Sequence, residues 1–211
     1  QTRRMLADPR ASNLSSNFAG QWLLLRNLES VSPDPRLYPD FDDNLRQAFR
    51  RETELFFDSV LQEDRSVLAF IDADYTFLNE RLAKHYGIPG VFGTHFRKVT
   101  INAESHRGGV LTTAAMLTMN SDGTDSHPLK RGVWLLERIL QDPPPPPPAN
   151  VPKVDLTDPR ILEMTLKERI ADHRNKPACA SCHSRLDPWG IAFENYDALG
   201  SFRTSIKNAP V

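Results

Sequence analysis

The sequence predicts an all-α protein, and three observations carry that expectation. Apolar residues recur at three- and four-residue steps through most of the chain. Only one segment, Phe96 to Ile101, has strand character. The connections are rich in proline, including six consecutive prolines at 143–148. With 211 residues the chain is long enough for one large domain or two small ones with a real core.

Leu14, Phe18, Trp22 and Leu25 predict an amphipathic helix over 14–28. The stretch from Ser32 to Asp40 holds three prolines and reads as a loop. A longer helix is expected over 41–63, with Phe41, Leu45, Phe49, Phe56 and Val60 on one stripe. Arg46, Arg50, Arg51, Glu52 and Glu54 are assigned to its polar side. Residues 65–71 predict a short helix. Thr76 to His85 predict another, stopped at Gly87 and Pro89.

A composition shift at 102–109 marks a soft boundary, giving a division into 1–104 and 105–211. Helices are expected at 109–119 and 128–140, joined by the turn Asn120 to Asp125. The prolines from 143 form polyproline II, a stiff segment of roughly 19 Å. One further helix is expected at 159–173. Short helical pieces at 178–185 and 188–197 close the chain.

Lys plus Arg is 26 and Asp plus Glu is 27, a net charge of −1. That gives no electrostatic footprint for nucleic acid or an anionic membrane. No apolar run approaches the 18 or so residues of a membrane span. The chain begins at Gln1 without an apolar signal region, so it reads as a processed protein or a piece of a longer one.

The two cysteines of the chain stand together, in Cys179-Ala180-Ser181-Cys182-His183. This C-x-x-C-H spacing is the attachment motif of a c-type haem. Two thiols separated by two residues reach the two vinyl groups on one porphyrin edge. The next residue, His183, then lies under the ring as an axial iron ligand. A zinc site would recruit His183 with another histidine such as His173. A thioredoxin-like redox pair would want a βαβ context. A backbone carbonyl near Pro188 is the expected acceptor for His183 Nδ1–H. Pro188 and Trp189, with Ile191 and Phe193, are candidates to line the haem pocket.

The segment from His173 to Arg203 carries this motif together with Asp187-Pro188-Trp189-Gly190 and Glu194-Asn195-Tyr196-Asp197. It resembles the planctomycete-type cytochrome c domain, a family of unknown function. Arg107-Gly108-Gly109-Val110-Leu111-Thr112 and His127-Pro128-Leu129-Lys130-Arg131-Gly132-Val133-Trp134 are similar to that family too. The first half resembles the helical module that usually precedes it, through Phe18-Ala19-Gly20-Gln21-Trp22-Leu23 and the run from Asp74 to Gly87. The resemblance implies a c-type cytochrome-like helical domain behind a helical module. It implies haem c and its iron as cofactor, held by Cys179, Cys182 and His183. It also implies a periplasmic or extracellular location, because covalent haem attachment in bacteria takes place outside the cytoplasmic membrane.

A low-spin cytochrome needs a sixth ligand, usually Met or His. Residues 184–211 contain neither. Met119 is therefore the first candidate, His127 the alternative and His85 the next, with Met116 beside Met119. Iron without a sixth ligand from this chain is the other case. Arg107, Lys130 and Arg131 are candidate partners of haem propionates. The functional expectation is electron transfer within a larger extracytoplasmic redox protein, toward a redox partner or neighbouring domains. A haem enzyme or gas-binding domain with an open iron site, and a haem that only staples the fold, are the alternatives.

Overall fold

The computed structural model describes residues 1–146, 164, 168, 177–206 and 209–211. The chain folds as two compact units, one of residues 1–126 with 196–202 and one of 127–195 with 203–211. Both are mainly helical, with four short strands among the described residues.

The first unit is built on one long helix. After the short α1 (Thr2–Leu6) and α2 (Ser12–Trp22), α3 runs over Asp43–Gln62. Asp42 caps α3 by accepting from the Leu45 amide at 2.8 Å. Leu45, Phe49, Phe56 and Val60 are buried as the periodicity predicts. Glu52 is buried among them, not on the polar side. Its position explains this: 45, 49, 52, 56 and 60 form one continuous helical stripe, and Glu52 occupies its middle.

The helix expected over 14–28 ends at Trp22. Leu24 then turns through a left-handed conformation (φ 60°), and a 3-10 helix covers Leu25–Ser30. This break lets Leu23, Leu25 and Leu28 all enter the core, each at 1% exposure. Leu14 and Phe18 lie instead on the exposed side of α2.

The segment from Thr76 to His85 is two elements. Strand β1 (Tyr75–Leu78) pairs antiparallel with β2 (Arg97–Thr100), Tyr75 opposite Thr100. Helix α4 (Glu80–Tyr86) follows, capped by Asn79 and ended by Gly87 at φ 69°. Tyr75, Thr76 and Phe77 are aromatic or β-branched, and sheet pairing overrides the helical spacing there. A 3-10 turn (Val110–Thr112) and α5 (Ala114–Met119) complete this packing around α3, and every residue of α5 is buried.

Residues 196–202 belong to this unit and strap across it. The strap crosses α5 at Gly200, whose φ of 76° and whose closeness to Ala114 and Leu117 both favour glycine.

The second unit pairs α6 (Pro128–Arg138) with α7 (Pro177–Ile191). Near the C-terminus, β3 (Ser205–Ile206) pairs antiparallel with β4 (Ala209–Pro210). The sequence expected two helical pieces after the cysteine motif's start; the structure has one helix running through Pro188. Apart from Met164 and Glu168, the expected helix over 159–173 lies outside the described residues, as do prolines 147–148.

Candidate haem-binding helix

Helix α7 carries the motif. Two glycines bring its backbone against α6. A Cβ on Gly190 would stand 2.0 Å from the Pro128 carbonyl oxygen, and one on Gly132 would stand 2.7 Å from that of Leu186. No side chain fits either place, so glycine permits direct backbone contact. The two contacts make α6 and α7 antiparallel and fix the rotation of α7.

Helical periodicity then places positions 179, 182 and 183 on one face, at i, i+3 and i+4. Cys182 is a free, half-buried cysteine. The Cys179 side chain lies outside the described residues. His183 is buried, and its Nδ1 lies 2.8 Å from Asp187 Oδ1, one turn further along. A carboxylate only accepts hydrogen bonds, so Nδ1 carries the proton and Nε2 is the nitrogen suited to a metal. The expected backbone acceptor near Pro188 is replaced by this carboxylate. The reason is the unbroken helix, which keeps residue 187 at i+4 from the histidine.

Pro188 lies on the opposite side of α7 from the motif face, and it is exposed. It costs the helix one backbone hydrogen bond, and Ser184, whose carbonyl would have accepted it, is exposed too. Trp189 follows Cys182 by two turns on one flank and is 44% exposed. Phe193 is buried, and Ile191 is half-buried. Arg131 is fully buried, and its Nη1 donates to the Phe193 carbonyl at 2.9 Å. Arg185 holds the segment before the prolines by a hydrogen bond to Asp142.

The candidates for a sixth ligand lie in different settings. Met119 ends α5, buried in the first unit, with Met116 in the same helix. His127 caps α6, its Nδ1 accepting from the Lys130 amide at 3.4 Å. His85 Nε2 bonds the Leu199 carbonyl at 2.9 Å within the first unit, and burial holds the imidazole below its ordinary pKa. His173 lies outside the described residues. Lys130 is exposed.

Residues 107–206 match the family model PSCyt3, described as a protein of unknown function (DUF1588). Residues 1–88 match PSD4, also described as a protein of unknown function (DUF1592). The two matches follow one another along the chain, residues 1–88 before residues 107–206. The resemblance read in the sequence thus holds along both halves. No curated protein and no solved structure matches the chain. No helix among the described residues is long and apolar enough to cross a membrane.

The PSCyt3 match is not confined to one compact unit. Its residues 107–126 and 196–202 fold with residues 1–106, around a polar cluster that sequence reasoning missed. Glu52 Oε1 accepts from Thr76 Oγ1 at 2.6 Å, and Glu52 Oε2 accepts from the Tyr86 hydroxyl at 2.5 Å. The Tyr86 hydroxyl accepts in turn from the Ala114 amide at 2.8 Å. The Arg107 guanidinium lies 3.5 Å from the centre of the Tyr86 ring. Arg107 also donates to the carbonyls of Thr112 and Gly200. Burial pushes the Glu52 carboxyl up to about 7, against the pull of its hydrogen bonds and Arg107. Burial also holds the Tyr86 hydroxyl well above its ordinary pKa. An acidic residue on the apolar stripe of α3 was the signal available in the sequence.

Proposed function

We propose that the PSCyt3 module binds haem c covalently through Cys179 and Cys182, with His183 as an iron ligand, and serves electron transfer in a larger extracytoplasmic redox protein. The observation that carries this reading is the helix face shared by positions 179, 182 and 183, with the His183 ring anchored by Asp187. The donor set fits the group. Thiols at i and i+3 can reach one porphyrin edge, and an imidazole protonated at Nδ1 presents Nε2 to a metal. When bound, the haem supplies a one-electron iron couple.

The chain's own residues hold and orient. Gly132 and Gly190 set the position of α7, Asp187 sets the His183 tautomer, and Trp189 offers an apolar ring two turns along from Cys182. Met119 or His127 is proposed as the sixth ligand. We divide the modules within residues 89–106, the interval between the two family matches, which contains the 104/105 boundary. The partner is another redox protein or a neighbouring domain of a longer chain. A haem enzyme or gas-binding domain is the second reading. The anionic partner of His183 favours it, because such a partner strengthens a histidine as a metal ligand.

The test is expression with haem-maturation machinery. The denatured chain should be heavier by one haem and show a haem c spectrum, and Cys179→Ala with Cys182→Ala should abolish both. An unmodified parent mass refutes the reading. Six-coordinate iron in the parent supports electron transfer; five-coordinate iron moves the second reading ahead.

A further inference from the structure

We propose that Asp187 is a positioning residue that sets the iron's reduction potential through His183, holding it lower than a neutral acceptor would. The inference rests on the haem reading above and deepens it. His183 Nδ1 and Asp187 Oδ1 are 2.8 Å apart, and Asp187 is only 1% exposed. Water therefore screens its charge poorly, and the imidazole feels a nearby anion at low dielectric.

An anion accepting from Nδ1–H pushes electron density onto the ring and makes Nε2 a stronger donor. A stronger donor stabilises the oxidised iron more than the reduced iron, so the potential falls. The acceptor's charge follows from the fold. Had α7 ended before Pro188, as the proline leads one to expect, a backbone carbonyl could have taken this place. That acceptor would be neutral. The helix instead continues past Pro188 and keeps the carboxylate in register with the histidine. Its rotation is locked by the close approach of Gly190 to Pro128.

The two ways of disturbing this pair act in opposite directions. Removing the anion while keeping the pocket closed raises the potential. Loosening the pocket and admitting water favours the more highly charged oxidised site and lowers it. The sign of the shift therefore separates a tuning role from a merely structural one.

The experiment is a spectroscopic redox titration of the haem-loaded full chain, parent against Asp187→Asn, with thermal melting as the control for folding. Asp187→Asn should raise the reduced-to-oxidised ratio at a fixed applied potential at least tenfold, which is about 59 mV for a one-electron couple. Asp187→Ser, smaller and also neutral, should shift the same way, and it decides the matter if the Asn variant does not fold. Asp187→Glu, which keeps the charge, should stay closer to the parent than either. A folded, haem-loaded neutral variant that titrates within threefold of the parent, or below it, overturns the role of Asp187 and leaves the haem reading standing. A parent chain that acquires no haem overturns both.

Discussion

Glu52 and Asp187 are both buried acids on helices, each 1% exposed, and they are served in different ways. Glu52 is held by hydroxyl donors, Thr76 and Tyr86, with the Arg107 cation nearby. Its carboxyl is pushed toward the neutral form. Asp187 is held by an imidazole one turn away in the same helix. The Glu52 cluster ties α3, α4 and residues 107–114 together, across both family matches. The Asp187 pair joins residues four apart along one helix. The first acid thus works for the fold of its unit, whereas the second fixes the direction and tautomer of one ring. Substitutions that strike one acid and spare the other test this division of labour.

The largest effect is expected from the glycine that seats the second pair. Gly190→Ala would drive a Cβ to 2.0 Å from the Pro128 carbonyl oxygen. Backbone on both sides cannot yield as a side chain end would. We expect a loss of about 3 kcal/mol or more in denaturant unfolding, at the upper end of overpacking costs. Haem attachment should fall with it, while the unvaried Glu52 cluster keeps its pH response. Stability within 1 kcal/mol of the parent, roughly the scale of a tolerated core swap, would show that α6 and α7 are not locked at this contact.

Next is the pH response of Glu52. Its ordinary pKa is 4.5 and its folded value is about 7, so the folded state holds this proton more tightly. The contribution is full below 4.5 and is lost as pH rises through 7. At about 1.4 kcal/mol per unit, the swing amounts to about 3 kcal/mol. Unfolding free energy measured from pH 4 to pH 8 should show this fall in the parent. Glu52→Gln, which imitates the neutral acid, should flatten it. Equal slopes in the two proteins would mean that Glu52 stays ionised in the fold.

The two acids also differ in how far the sequence revealed them. The C-x-x-C-H spacing is local, so residues 179, 182 and 183 are legible without any tertiary knowledge. Asp187 was readable only in part, because Pro188 signals a helix break and the break does not occur. Packing against α6 outweighs one lost backbone hydrogen bond. Glu52 was legible in its spacing along α3, yet a glutamate is ordinarily a solvent-facing residue. Its partners Thr76, Tyr86 and Arg107 lie 24 to 55 positions away, beyond any local pattern. The strand Tyr75–Leu78 was hidden for the same reason: its pairing partner begins at Arg97.

Arg107→Lys probes the long-range character of the Glu52 cluster. Arg107 spreads its planar fork over the Tyr86 ring while donating to Thr112 and Gly200. A lysine is a point charge on a flexible stem and cannot do both. We expect a loss of about 2 kcal/mol, the scale of hydrogen bonds to charged groups. Protease cleavage within 196–202 should also become faster, since the Gly200 anchor of this strap is lost. A loss of stability with no change in cleavage would show that the strap is held by other contacts, among them His85 to Leu199, Tyr196 to His106 and the stack of Phe202 on His106.

The smallest effect, and the sharpest on the comparison, is expected from Thr76→Val. The change keeps the shape of the side chain and removes only the hydroxyl that donates to Glu52 Oε1 at 2.6 Å. Thr76 sits on β1, where valine is at least as well suited to the strand. The cost therefore reports the hydrogen bond, about 1 kcal/mol. The more telling readout is the pH profile. Thr76 Oγ1–H stabilises the ionised carboxylate, so its loss raises the folded pKa of Glu52 further and moves the fall in stability to higher pH. The cost of the substitution, measured against the parent at the same pH, should consequently be smaller at acid pH and larger at alkaline pH. The haem-side pair shares no residue with this hydrogen bond, so the potential of the loaded chain should not move. A shifted potential in Thr76→Val would break the division between the two acids, and a pH-independent cost would show that Thr76 serves packing alone.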